Sequence, residues 1–187
     1  MAERYTTTLD EPLRGDVDLE RCLAEIPKGH VLKGMFFRRY ADADDGPPSS
    51  RYHAFEDYPM ADYLRLFDRA ARRRFPGSTR EAYRLLARGE VEVFASSMLG
   101  KVTFSLLREP GAALIRYPET FGILARGPTA HAKRLGERSV EVVYPHYDGA
   151  LEYAVGVLEG IVLNFEERPS LDVTLDDQRV ATLVVSW

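Results

Sequence analysis

The chain has 187 residues, of which 45% are hydrophobic and 11% aromatic, so it can bury a substantial core and disorder is not expected. Its 29 acidic and 25 basic residues leave a formal charge of −4, which argues against a nucleic-acid-binding protein because such proteins usually present a basic face. With one cysteine, Cys22, the chain cannot form an internal disulfide or a cysteine-based zinc site.

The N-terminal segment has no apolar run typical of a signal peptide, and no stretch approaches roughly 20 continuous apolar residues, so neither a signal peptide nor a membrane span is predicted. These features together predict one cytoplasmic domain that covers residues 1–187, with a loop insertion near 41–51, where the sequence is "ADADDGPPSSR". Cys22 lies in a predicted helix beside Leu19 and Leu23, and we expect it to be a buried small hydrophobic residue.

The first two thirds of the chain are predicted to be mainly helical. The spacing of apolar residues predicts helices over 16–26, 60–75, the segment that follows Ser78, and 90–107. Ser78 and Glu81 form a capping box at the start of the third of these helices. The apolar segment "VLKGMFFRRY" (31–40) fits a strand, a buried helix, or the two in sequence, and its periodicity does not decide between them.

The last third has a different pattern. Alternating residues predict one hairpin over 131–144 and another over 170–187, with a long helix over 149–165 between them. The fold class is therefore α+β: helices packed on a C-terminal antiparallel sheet of about four strands.

The helix between the hairpins carries several local signals. Asp148 precedes it and is predicted to be its N-cap, and Glu152 and Glu159 are predicted to mark its solvent-facing side. Gly156 and Gly160 are four residues apart, which predicts a strip for close packing against another backbone or, alternatively, a dimer surface.

Polar residues around 139–148 raise two catalytic alternatives. A hydrolase would use Ser139, His146 and Asp148, but no Gly-x-Ser-x-Gly turn occurs and the last two residues share one tight turn. A metal site would use His131, His146 and Asp148, but the histidines lack the i,i+4 spacing that holds metals on helices. The pattern favours a strand end and a capped helix, with no catalytic residues, no metal and no enzymatic activity.

The order of a strand ending in Tyr144, a polar turn, the helix "AVGVLEGIVLNF" and a last hairpin resembles the superfamily of haem NO-binding domains, four-vinyl-reductase domains and transport-protein-particle subunits. In haem NO-binding domains the turn carries a Tyr-x-Ser-x-Arg motif that holds the haem propionates. The matching positions here are Tyr144, His146 and Asp148, so the tyrosine is kept and the arginine position holds an acid that would repel a propionate. The family's iron-ligating histidine lies in an upstream helix, and the corresponding stretch "PGAALIRYPETFGILA" has none. The resemblance implies the fold without the haem, and no cofactor is predicted.

A second likeness covers nearly the whole chain. The blocks "VLKGMFF", "YPMADYLRLFDRAAR", "FASSMLGKV", "GERSVEVVY" and "GVLEGI" resemble a family of uncharacterised myxobacterial paralogues within the same superfamily. That family has no assigned function, so the resemblance implies a fold and leaves the activity open.

Two functions follow from the sequence. The first is a non-enzymatic cytoplasmic binding module, sensory or adaptor-like, that acts through a protein partner and possibly as a homodimer. The second is a receptor for a small apolar ligand held between the helices and the sheet. The residues predicted to form the ligand or partner site are Met35, Phe36, Phe37, Phe94, Met98, Tyr144 and His146.

Overall fold

The structure, a computed structural model, describes residues 2–41 and 48–187, so most of the predicted insertion near 41–51 lies outside the described residues. The described helices are α1 (Leu19–Glu25), α2 (Gly34–Arg38), α3 (Met60–Arg74), α4 (Thr79–Ser96), α5 (Met98–Leu106), α6 (Pro110–Leu124) and α7 (Leu151–Leu163), with a short 3-10 helix at Ser49–Arg51. The described strands are β1 (Glu3–Thr8), β2 (Val31–Lys33), β3 (Asp57–Pro59), β4 (Ala125–Arg126), β5 (His131–Gly136), β6 (Ser139–Tyr144), β7 (Ser170–Leu175) and β8 (Ala181–Ser186). The predicted α+β fold is confirmed.

The main sheet is antiparallel, with the strand order β1-β7-β8-β6-β5. The two predicted hairpins are β5–β6 and β7–β8, and they join through β6 and β8. A fifth strand, β1, comes from the N-terminus and pairs with β7 from Glu3–Leu175 to Thr8–Ser170. Its sequence, "ERYTTT", has no aliphatic residue, so the hydrophobic pattern did not predict it. A second, small sheet has the order β3-β2-β4.

One face of the main sheet forms the core with α7. The inward side chains of the sheet have no exposed surface at Val140, Val142, Leu171, Val173, Leu183 and Val185. The facing side chains of α7 are equally buried at Val155, Leu158 and Val162. Helix α7 therefore lies between the sheet and the outer helices, which makes it the central element of the fold.

Helix α4 packs directly against α7 at two glycines. A Cβ atom placed on Gly156 would lie 2.1 Å from the carbonyl oxygen of Arg84, and one placed on Gly160 would lie 2.8 Å from Cβ of Val91. Both distances are shorter than real Cβ contacts, so the absence of a side chain at these positions lets the two backbones approach. The predicted strip thus faces another helix of the same chain.

The prediction that Glu152 and Glu159 face solvent was wrong, because both are buried against arginines of α4. Glu159 and Arg84 are both fully buried, with Oε1 of the acid 2.5 Å from Nη2 of Arg84, and Arg88 Nη2 lies 2.7 Å from Oε2. Arg80 Nε lies 2.5 Å from Glu152 Oε1. Charges seven residues apart on α7 are therefore matched by charges at four-residue spacing on α4.

Other local predictions have mixed outcomes. The segment 31–40 contains a strand followed by a helix, and Ser78 caps α4 by accepting a hydrogen bond from the backbone N–H of Glu81 at 3.4 Å. The helix predicted over 90–107 is interrupted, because α4 ends at Ser96 and Ser97 caps α5 through Gly100 N–H at 3.1 Å. None of the described helices combines the length and the apolar character needed to cross a membrane.

Candidate functional site

A cavity of about 80 Å³ lies among α4, α5, α6 and α7, and we call it the helix cavity. Its wall is almost entirely apolar. Residues that define it include Phe36, Phe94, Phe104, Ala113, Val157 and Ile161. Glu90 is the one carboxylate among its described wall residues.

A second cavity of about 80 Å³ lies beside the polar turn that precedes α7, and we call it the turn cavity. Residues found only in its wall include Met60, Tyr63, Leu64, Tyr144, His146 and Asp148. Four side chains belong to both walls: Leu32, Tyr117, Phe121 and Tyr153. The rings of Tyr117 and Phe121 are stacked, with centroids 5.5 Å apart. Each cavity is about half of the roughly 150 Å³ that suffices to bind benzene, so a small ring would fit if these shared side chains moved.

A buried carboxylate with three tyrosine donors lies between the two cavities. Glu90 Oε1 accepts hydrogen bonds from the hydroxyls of Tyr40, at 2.6 Å, and of Tyr63, while Oε2 accepts one from Tyr153 at 2.7 Å. We call this set the Glu90–tyrosine cluster. It joins α4 to α3 and α7, and it forms polar wall in both cavities through Glu90, Tyr63 and Tyr153.

Burial raises the pKa of Glu90 above its ordinary value, although the three hydroxyls and the charge of Arg39 oppose the shift. The cause is that an ionised carboxylate loses its hydration when it is buried. The same burial, together with the charge on Glu90, raises the pKa values of the three tyrosines, so they remain hydrogen-bond donors at neutral pH.

Two further tyrosines meet at the boundary of the turn cavity. The Tyr144 hydroxyl donates a hydrogen bond to the Tyr117 hydroxyl oxygen at 3.0 Å, and both side chains are buried. Burial raises the pKa of Tyr117 to about 12. Both phenols are therefore neutral at physiological pH.

Asp148 is not the N-cap of α7, contrary to the prediction, because the helix begins at Leu151 and Ala150 holds the cap position. Its buried carboxylate instead lies 2.9 Å from Nδ1 of His30 and 2.9 Å from Nε2 of His146. Burial raises the pKa of Asp148, while the two histidines and Arg179 act in the opposite direction. The contact with His30 links the turn to the residue directly before β2, which the local sequence does not reveal.

Four of the seven predicted site residues reach a cavity. Phe36 and Phe94 line the helix cavity, and Tyr144 and His146 line the turn cavity.

The other three lie elsewhere. Phe37 is fully buried and stacks on Tyr52, with ring centroids 4.8 Å apart, and Met35 is half-buried near β2. Met98 is 86% exposed on the outer side of α5. The prediction treated each apolar run as one surface, whereas consecutive residues of a helix point in different directions.

Sequence reasoning missed Glu90, Tyr117 and Tyr153. One signal was available: Glu90 interrupts an apolar helix face at a position where the neighbouring turns bury Leu86, Ala87 and Val91. An acid at such a position has to find partners, which a sequence can indicate without naming them.

Helix α5 has apolar side chains on both sides. Thr103 and Phe104 face the helix cavity. Met98, Val102 and Leu106, which we call the α5 ridge, are 86%, 57% and 77% exposed. Their four-residue spacing places them on one side of the helix.

Comparisons with known proteins give a family and a fold. A family model described as "Protein of unknown function (DUF2378)" matches residues 29–187. No curated protein matches the chain.

Solved H-NOX structures share the fold. An H-NOX protein from S. oneidensis in the Fe(II)NO state has a TM-score of 0.62 at 13% identity, over 83% of this chain and 98% of that chain. An Fe(II) unliganded mutant from K. algicida has a TM-score of 0.60 at 15% identity, over 83% and 96%. An oxygen-binding H-NOX domain related to soluble guanylate cyclases has a TM-score of 0.60 at 16% identity, over 82% and 85%.

The residues of this chain do not fit a haem. Helix α6 has no histidine, and the hydroxyl of its buried tyrosine, Tyr117, is already hydrogen-bonded to Tyr144. The acid at position 148 is already paired with two histidines. Each cavity is also far smaller than the roughly 300–1,000 Å³ of sites for drug-sized ligands. Within residues 2–41 and 48–187, no three His, Cys, Asp or Glu side chains are grouped so as to hold a metal ion.

Proposed function

The chain belongs to the DUF2378 family of proteins of unknown function, and we propose that it is a non-enzymatic sensory domain that binds a small apolar ligand in the helix cavity and the turn cavity. The observation that carries this proposal is the pair of adjacent apolar cavities, divided by the side chains of Leu32, Tyr117, Phe121 and Tyr153. Unfilled voids lower the stability of a protein core, so two adjacent voids favour a role in ligand binding.

Two further points belong to the proposal. A binding role is supported by the shared fold, since one H-NOX domain with this fold is described as oxygen-binding. The ligand of this chain is an organic molecule rather than a haem, because the cavity walls lack the groups that a haem requires. We also propose that the chain acts in the cytoplasm and that it is one of the myxobacterial paralogues, whose sequence blocks it resembles.

Native mass spectrometry of gently purified protein tests the proposal. We expect an additional mass that is lost on denaturation, and a lower melting temperature after the ligand is removed. Ala113→Leu should fill the helix cavity and abolish the additional mass, whereas Ala112→Leu, on the preceding residue of α6 but outside the wall, should retain it. If both variants keep the additional mass, the ligand binds outside the helix cavity. A Soret band after haem supplementation would refute the haem-free form of the proposal.

The α5 ridge supports a second candidate function, the docking of a protein partner, which includes a second copy of the chain. Three neighbouring large apolar side chains exposed on one helix are typical of a contact surface. Light scattering with size-exclusion chromatography should show a defined oligomer that Met98→Ser and Leu106→Ser disrupt. Phe55→Ser is the control, because Phe55 is 80% exposed and lies outside α5. If the protein is monomeric in all samples, the α5 ridge does not mediate self-association. The partner would then be a different protein, to be sought with the same variants.

A further inference from the structure

Among the described residues, the hydrogen bonds to Glu90 leave one acceptor position of its carboxylate open. An ionised carboxylate has about four acceptor sites. Oε1 uses two of them for Tyr40 and Tyr63, and Oε2 uses one for Tyr153. The open position is therefore on Oε2, the oxygen that accepts the hydrogen bond from Tyr153. Both Glu90 and Tyr153 line the helix cavity.

We infer that Glu90 is the recognition residue of the helix cavity and that the ligand is a small apolar molecule with one hydrogen-bond donor, preferably a protonated amine. This inference rests on the proposed function and specifies the chemical class of its ligand. The apolar wall binds the hydrocarbon part, and the open position on Oε2 binds the donor. A donor at that position would complete the four bonds that the carboxylate can accept.

A cationic donor suits this position better than a neutral one for an electrostatic reason. Within the described residues, the hydrogen bonds to Glu90 come from neutral hydroxyls, and the charge of Arg39 acts on it without forming an ion pair. A charge attracts an opposite charge strongly where water is excluded. The other polar wall groups are hydroxyls, those of Thr103 and Thr120 among them, and these do not discriminate between a charged and a neutral ligand. Discrimination by charge therefore belongs to Glu90.

A purely structural role for Glu90, in which it only holds three tyrosines in place, makes a different prediction. Removing the charge would then change stability without changing which ligand binds. The two roles can be separated with three probes of similar shape: benzylamine, benzyl alcohol and ethylbenzene. Their dissociation constants would be measured by calorimetry for the wild type and Glu90→Gln, with Thr120→Val as a control that alters another polar wall group.

We expect Glu90→Gln to lower the affinity ratio of benzylamine to ethylbenzene at least tenfold, about the effect of one hydrogen bond to a charged group. The hydration of each probe is the same in both measurements, so it cancels from this comparison. The ratio for benzyl alcohol should change less, and Thr120→Val should change neither ratio.

Two other results would overturn the inference in distinguishable ways. If ethylbenzene binds and the ratio is equal in the wild type and Glu90→Gln, the recognition role fails while the proposed function stands. If no probe binds the wild type, the cavity is not a binding site and both fail. Should Glu90→Gln not fold, Tyr153→Phe frees a second position on Oε2 and should raise the affinity for benzylamine relative to ethylbenzene. An unchanged ratio in that variant would equally refute the inference.

Discussion

The close approach of α4 and α7 makes Gly156→Ala the most informative single substitution in this fold. A methyl group at this position would lie 2.1 Å from the carbonyl oxygen of Arg84 and 2.9 Å from Cβ of Ala87. The first neighbour is backbone, so it cannot move without shifting α4. Overpacking of this kind costs about 1–3 kcal/mol and at times more, and the better helix propensity of alanine returns at most about 1 kcal/mol. We expect a net loss of about 2 kcal/mol in the free energy of unfolding.

The matched control is Gly122→Ala in α6, where a Cβ atom would meet nothing within 4 Å. There only the propensity term acts, so that variant should be more stable than the wild type by up to about 1 kcal/mol. Urea unfolding followed by circular dichroism measures both values, and a loss of about 2 kcal/mol corresponds to about 4–8 °C in the melting temperature. If Gly156→Ala equals or exceeds the stability of Gly122→Ala, the contact between α4 and α7 is not as tight as argued.

Three further outcomes are expected. Because burial raises the pKa of Glu90 above 4.5, its contribution to stability is complete below pH 4.5 and is lost as the pH rises through the folded-state pKa. The free energy of unfolding of the wild type, relative to that of Glu90→Gln, should therefore fall with pH by at most about 1.4 kcal/mol per pH unit. A pH-independent difference in urea titrations would contradict this. Arg84→Met removes the fully buried partner of Glu159 and should cost about 3 kcal/mol or more by the same assay, whereas a loss below 1 kcal/mol would mean that Arg88 alone compensates. Cys22 is buried and its thiol pKa is raised to about 11 by that burial, so it should react with a thiol reagent in native protein at pH 8 far more slowly than in urea; equal rates would show that α1 opens.

Local periodicity was sufficient to predict much of this fold. The alternation of Val140, Val142 and Tyr144 indicated β6 because one face of that strand is buried, and the apolar stripe through Val155 and Leu158 indicated α7. Strand β1 was missed because its stabilisation comes from backbone pairing with β7, and backbone pairing leaves no hydrophobic pattern in the sequence. Prediction succeeded where burial depends on neighbours in sequence and failed where it depends on a distant strand.

The charged residues show the same limit more clearly. Glu152 and Glu159 have the spacing of a solvent-facing side, and nothing within α7 indicates that Arg80, Arg84 and Arg88 of α4 lie opposite them. The cap assigned to Asp148 failed for a related reason, since its carboxylate pairs with His30, more than a hundred residues earlier. A charge in a sequence shows that a partner or solvent is needed. Only the tertiary structure shows which of the two is supplied.

The ligand-binding and partner-docking hypotheses concern opposite sides of the same helix. Phe104 and Thr103 of α5 line the helix cavity, while the α5 ridge, formed by the other side of that helix, is exposed. Apart from Gly100, no residue of α5 with a described side chain is buried, so the position of the helix depends on its inner contacts, among them Phe104 with Phe94 and Phe165. A ligand that fills the helix cavity would add to those contacts and favour one position of α5. Occupancy of the cavity would then change the position of the α5 ridge at the surface, which is how a domain with the proposed sensory function would signal.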